Sequence, residues 1–289
     1  MTQALTPPVI RKDPVGAVIP LVCDSPHSGT AYPEDFRYAV PRQLLRQGED
    51  THVDELWAAA PQHGATLIAA TFPRVYIDPN RTLQDLDPEA LDGTWPDQLE
   101  PTVKTRLGKG LVWTRLDART PIYDRKLGIA EVRSRINDYY RPYHDAIAQA
   151  IEERYDRFAA LWHLNLHSMP NDAYERLGLQ SDRPLADFVL GDRDGTTCEP
   201  EFVQLIEDVL RSKGYTVARN DPYKGVQLIA QIGQPALNRH SLQIEVRRPV
   251  YMDEITRERN GGFDQLQTDL TALLAVIATY IKDRVGIRV

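Results

Sequence analysis

The sequence predicts an α/β protein with mostly parallel strands, and three observations carry that expectation. Short apolar runs rich in β-branched residues recur along the chain, amphipathic helical stretches separate several of them, and polar residues, histidines among them, gather where the runs end. In open sheets of this class ligands collect outside the carboxyl ends of strands, so those ends are where chemistry is sought. The 289 residues, 42% hydrophobic and 26% charged, suffice for one large core, and a single domain over residues 1–289 is expected.

Residues 18–23 read as a buried strand that stops at Asp24-Ser25-Pro26-His27-Ser28-Gly29. His27 therefore stands just past a strand end, placed to hold a metal or move a proton; the plainer alternative is a turn histidine bonded to its own loop. A helix starts in 41–45, and 48–60 is a loop entering another. This loop concentrates Glu49, Asp50, Asp54 and Glu55. Acids here complement a helix dipole, and they are also the nearest carboxylates downstream of His27. Strand-like runs follow at 65–70 and 74–77. The second leads into Asp78-Pro79-Asn80-Arg81, where proline stiffens the turn so that Asn80 and Arg81 can project as donors for a carboxylate; an incidental surface arginine is the alternative. Residues 82–120 are mixed, with a strand-like 110–114, a kind of connection that often covers a site.

Over 130–160 the pattern turns helical, with Val132, Ile136, Tyr143, Ile147 and Ile151 at three- and four-residue steps. Pro142 demands a kink or a junction of two helices near Tyr140. His144 reads as packed or solvated rather than as a ligand. In 161–170, His163, Asn165 and His167 alternate with Trp162, Leu164 and Leu166, which puts the polar three on one strand face with His167 near its end. Two strand-end histidines and a carboxylate make the common three-ligand plan of catalytic zinc, with one position left for water. Strand, helix and strand follow at 186–191, 199–213 and 215–218, an order that favours parallel pairing. No Walker loop is present, and Lys224 in its loop could meet an anion or water. In 241–249, Gln243, Glu245 and Arg247 share a face opposite Leu242, Ile244 and Val246. A glutamate inside a central strand is costly unless paired or protonated; general-base work on an activated water supplies one reason, an ion pair with a neighbouring arginine another. Residues 262–285 form a long scaffold helix.

A net charge of −7 and a pI near 5.5 argue against a nucleic-acid surface and leave a small molecule as the expected partner; an anionic one needs a few local arginines. Cys23 and Cys198 make no disulfide framework, residues 1–8 lack the pattern of a secretory signal, and no run reaches about 18–20 apolar residues. A cytoplasmic protein without a membrane span is expected. Oligomeric state is not written in these features.

Taken together, Ser25-Pro26-His27-Ser28-Gly29, Glu49-Asp50 before Val53-Asp54-Glu55-Leu56, Asp78-Pro79-Asn80-Arg81, Arg141-Pro142-Tyr143-His144, Leu166-His167-Ser168, Lys224-Gly225 and Gln243-Ile244-Glu245 resemble the N-formylglutamate amidohydrolases, in the same order over nearly the whole chain. The resemblance implies a zinc-carboxypeptidase-like (phosphorylase/hydrolase-like) fold: an open mixed, mostly parallel sheet flanked by helices on both faces, with one zinc ion for which other divalent metals can substitute. It implies His27 and His167 as metal ligands, Glu245 as catalytic base, and Asn80 and Arg81 as holders of a substrate carboxylate. Carboxypeptidases carry a glutamate three positions after the first histidine, but Thr30 stands there. The third ligand is therefore expected to be Asp50, with Glu49, His52 and Asp54 as alternatives. A second substrate carboxylate would fall to Arg141, Lys224 or Arg247. The implied reaction releases formate from N-formyl-L-glutamate in histidine degradation. Alternatives are an amidase for another N-acyl amino acid or short peptide, and a non-catalytic binder on the same scaffold; no Gly-x-Ser-x-Gly elbow points to a serine hydrolase.

Overall fold

The computed structural model describes residues 6–287; residues 1–5, part of the stretch read above for a secretory signal, and 288–289 lie outside it. Its main sheet has seven strands, β1 (Val9–Lys12), β2 (Leu21–Ser25), β3 (Thr66–Ala70), β4 (Leu161–Met169), β5 (Phe188–Gly191), β6 (Val217–Arg219) and β7 (Arg239–Arg247), in the spatial order β1-β3-β2-β4-β7-β5-β6. The pairs β2–β4, β4–β7 and β5–β6 are parallel and β7–β5 is antiparallel, so the sheet is mixed and mostly parallel. Four longer helices accompany it, α1 (Ile129–Arg135), α2 (Arg141–Phe158), α3 (Pro200–Ser212) and α4 (Phe263–Val285).

The chain divides into two compact units. One comprises Pro26–Thr51, Ala69–Ala146 and the N-terminal residues up to Ile10; the other comprises Arg11–Ser25, His52–Ile68 and the chain from Ile147 onward.

In the second unit, alternation along the strands sorts the side chains. Leu21 and Cys23, Trp162, Leu164 and Leu166, Phe188 and Leu190, and Leu242, Ile244 and Val246 point into one core. They meet Phe202, Val203, Ile206 and Leu210 of α3 and Leu266, Leu270, Leu273, Leu274, Ile277 and Ile281 of α4. Each such fully buried side chain contributes roughly 1.5–3 kcal/mol. Helix α3 starts where the sequence marks it, with Pro200 in the first turn and Glu201 beside it, and Gly214 at φ 92° follows its end. The intervening strand residues His163, Asn165, His167, Ser241, Gln243 and Glu245 face the other way. On that side α2 reaches the sheet through Arg154, whose Nη2 donates to Thr66 Oγ1 at 2.7 Å, so helices cover both faces.

The first unit departs from the local sequence signal in two places. Residues 74–77 and 110–114, strand-like by composition, are turns and loops. Their backbone groups bond locally or to one another, Tyr76 N to Pro73 O at 2.9 Å and Asp78 N to Leu111 O at 2.7 Å; Pro73 and Pro79, which lack N–H donors, bracket the first run. Pro142 is accommodated by a π-helical turn, Ile136–Tyr140, that separates α1 from α2 and leaves the proline in the first turn of α2. Gly29 is required by close approach: a Cβ there would collide with the backbone of Thr71 and Phe72.

Candidate metal centre

In the first unit the turn after β2 sets His27 between two carboxylates, all three residues buried. Its Nε2 lies 2.8 Å from Asp78 Oδ1 and its Nδ1 3.3 Å from Asp50 Oδ2. Asp78 also accepts from Arg74 (Nε 3.1 Å, Nη2 2.8 Å), Trp113 Nε1 (3.2 Å) and the Asn80 backbone N–H (2.9 Å), with Arg81 Nη2 at 3.8 Å. Burial pushes the Asp78 carboxyl up, but Arg74, Arg81 and His27 outweigh it and hold the group well below the usual carboxylate range. An ionised carboxylate only accepts, so the His27 ring carries a proton on Nε2 toward Asp78, while its Nδ1 faces Asp50.

Asn80 and Arg81 stand on the turn that Asp78 and Pro79 begin. Asn80 is buried, and Arg81 donates from Nε to Lys109 O at 3.0 Å and from Nη1 to Asn80 O at 2.9 Å. Helical residues brace this turn: His144 Nε2 donates to Pro79 O at 2.9 Å and Tyr140 Oη to Arg81 O at 2.8 Å. His144 is thus a packed donor, as its helical setting suggests. Lys104, which the sequence does not single out, has its ammonium pushed down by burial and by the neighbouring Arg81, Arg74 and Lys109. Arg141, the first residue of α2, is exposed. Among the other acids near Asp50, Glu49 is engaged by Tyr32 Oη (2.8 Å), Thr51 Oγ1 (3.0 Å) and Arg46 Nε (3.2 Å).

The second unit carries a row of buried polar side chains across β2, β4 and β7. Asp24 accepts from Asn165 Nδ2 with both oxygens, at 2.9 and 3.0 Å, and from His163 Nε2 at 2.8 Å; His163 Nδ1 lies 2.8 Å from Ser241 Oγ. With its amide turned to Asp24, Asn165 presents Oδ1 to His167 Nε2 at 2.7 Å, so this ring too is protonated on Nε2. Glu245 is buried and pairs in register with His167 across β4 and β7. Its Oε1 accepts from Gln243 Nε2 at 2.8 Å, and Gln243 Oε1 accepts from Val226 N at 3.0 Å. Arg247, the neighbour expected as an ion-pair alternative, pairs instead with Asp187 at 2.6 Å. Lys224 is exposed and pairs with Asp194 at 2.8 Å, and His52 bonds Glu55 and the Arg257 carbonyl, each at 3.0 Å.

One ligand atom from each of His27, Asp50 and His167 lies within 4.8 Å of the others, a donor set that could hold a metal ion. Among the described residues no helix is long and apolar enough to cross a membrane, and Cys23 and Cys198 are free and buried.

A mixed, mostly parallel sheet that carries imidazoles and a strand glutamate on one face defines, as a class, an α/β protein with a buried row of ionisable side chains. The family described as N-formylglutamate amidohydrolase matches residues 19–252. The chain is 67% identical to a crystal structure named N-formylglutamate amidohydrolase from Ralstonia eutropha JMP134, with 97% of this chain and 100% of that one covered and a TM-score of 0.96. It is also 29% identical over 248 residues to the N-formylglutamate deformylase of Pseudomonas aeruginosa, and 27% identical over 242 residues to that of Pseudomonas putida, covering in each case 82% of this chain and 83% of the relative. The chain belongs to the N-formylglutamate amidohydrolase family.

Proposed function

We propose that this chain, acting as one hydrolase domain over residues 1–289, is a metal-dependent amidohydrolase that releases formate from N-formyl-L-glutamate in cytoplasmic histidine breakdown. The observation that carries the reading is the approach of three buried donor atoms, from His27, Asp50 and His167. The donor set fits a divalent cation on its own chemistry. Each ring has Nε2 taken by an oxygen acceptor, Asp78 for His27 and Asn165 for His167, which leaves Nδ1 as the ligating atom beside a carboxylate. Two neutral imidazoles and one carboxylate suit zinc, and other divalent ions accept the same donors.

Bound there, the ion would make water nucleophilic near neutral pH and polarise the formyl carbonyl. Glu245 takes the proton from the attacking water and hands it to the departing amide nitrogen, so that formate and glutamate separate. The Gln243 amide on Oε1 holds that carboxylate in one orientation. Asn80 and Arg81 grip one substrate carboxylate from a braced turn, where a guanidinium can bond both oxygens; Arg141 or Lys224 meets the second. The names of the Pseudomonas relatives support N-formylglutamate as substrate, and two free buried cysteines suit a reducing compartment.

The test is to measure bound metal and formate release on the same preparation, with N-acetylglutamate as a larger acyl comparison. About one divalent ion per chain is expected, with formate release abolished by chelation and by His27→Ala and the acetyl compound turned over poorly. A folded, metal-loaded protein inert on N-formylglutamate would sink the reading.

A further inference from the structure

We infer that Asn165 and Asp24 are positioning residues that fix which imidazole nitrogen of His167 faces the metal. The functional meaning rests on the metal centre proposed above; the geometry does not.

An amide beside an imidazole can present either of two chemically opposite ends. Its oxygen toward Nε2 requires a proton on Nε2 and leaves Nδ1 as a lone-pair donor. Its NH2 toward Nε2 requires a lone pair there and puts the proton on Nδ1, which then cannot ligate. Asp24 selects between the two. Both its oxygens accept from Asn165 Nδ2, at 2.9 and 3.0 Å, and a flipped amide would set oxygen against both of them. Only the orientation with Oδ1 on His167 Nε2, at 2.7 Å, satisfies the three groups together.

Asp24 is itself anchored. Its Oδ1 takes His163 Nε2 at 2.8 Å, and the far nitrogen of that ring reaches Ser241 Oγ at 2.8 Å. Serine, histidine and aspartate in a row have the composition of a nucleophilic triad, but Asp24, His163, Asn165 and Ser241 are all at 0% exposure, closed to any substrate. His163 Nε2 holds one oxygen of the carboxylate, and the carboxylate holds the amide. Because residues 165 and 167 lie two apart on one strand face, the amide also fixes the rotation of the ring. Outer partners of this kind are typically worth about 10–100-fold in metal affinity.

The experiment compares wild type, Asn165→Leu and Ser241→Ala. Two readouts are taken: the imidazole nitrogen and Nε2–H resonances of His167 in metal-free protein, by NMR with labelled histidine, and the zinc dissociation constant, by chelator competition. In wild type His167 is expected to be protonated on Nε2, with a slowly exchanging, hydrogen-bonded Nε2–H. Asn165→Leu loses that resonance and binds zinc about 10–100-fold more weakly, whereas Ser241→Ala, which removes a buried hydrogen bond from the far end of the row, changes neither. Protonation of wild-type His167 on Nδ1, or wild-type zinc affinity in Asn165→Leu, overturns the inference. Should Asn165→Leu fail to fold, the wild-type resonances alone decide. Should wild type bind no divalent metal, the proposed function falls, while the metal-free spectra still test Asn165.

Discussion

Replacing Asp78 by asparagine removes one charge at nearly constant volume, and the structure says what that charge supports. Arg74 Nη2 loses its carboxylate partner at 2.8 Å, His27 Nε2 at 2.8 Å keeps only an uncharged amide oxygen as acceptor, and Arg81 loses a charged neighbour at 3.8 Å. Removing one partner of a buried pair costs about 3–5 kcal/mol because the other charge is left uncompensated. Arg74 keeps 17% of its side-chain surface in contact with solvent, so water recovers part of the loss and the low end, about 3 kcal/mol, is expected. With an unfolding entropy of about 2.1 cal/mol/K per residue, 289 residues give about 0.6 kcal/mol/K, and Asp78→Asn should lower Tm by about 5 °C. The measurement is calorimetry on metal-free protein at pH 7. The pH dependence has a fixed sign. Asp78 is held below its unfolded value of about 3.9, so its contribution is complete above that value, shrinks as the pH falls toward the folded pKa, and is gone below it. The Tm curves of wild type and variant should therefore converge in acid. Equal Tm at pH 7, or a gap that does not narrow in acid, would refute the reasoning.

Other predictions concern the chemistry and the cations beside it. Glu245→Gln keeps a hydrogen-bonding side chain in place but removes the carboxylate proposed as proton acceptor; kcat for formate release should fall by about 10²–10⁴ while zinc affinity stays within a few-fold, and a loss of metal in step with activity would show that Glu245 serves binding instead. Lys104→Met removes a charge that burial and Arg81, Arg74 and Lys109 disfavour, so Tm at pH 7 should rise by about 1–2 °C, less in high salt. Because the folded-state pKa of Lys104 lies below its unfolded value, stability attributable to it should grow as pH rises through that interval in wild type and not in the variant. An unchanged or lower Tm would mean that a counter-charge already balances this lysine.

How much of this was legible in the sequence depended on the range of the interaction. Strands β4 and β7 could be read because a buried strand with two chemically different faces writes period two into its own residues, and His163, Asn165 and His167 stood out on one of them. Helices α3 and α4 carried their apolar stripes and end signals locally. Residues 74–77 and 110–114 misled for the complementary reason: β-propensity reports a fit to a pleated surface, and neither run found a partner strand. The partners that prepare the imidazoles were out of local reach altogether. Asp78 and His27 are 51 residues apart, Asp24 and His163 are 139, and Asp24 and Asn165 are 141, so no local window of sequence contains any of the three pairs. A weaker signal was nevertheless present. Asp24 closes an apolar run and Asp78 follows another, where burial is expected, and a buried carboxylate must find donors or lose its charge. That argument, applied to Glu245 from sequence alone, holds with equal force for the other two. In this chain Asp78 bonds the His27 ring directly and Asp24 reaches the His167 ring through Asn165, so two acids buried at the ends of apolar runs set the hydrogen bonding of both imidazoles.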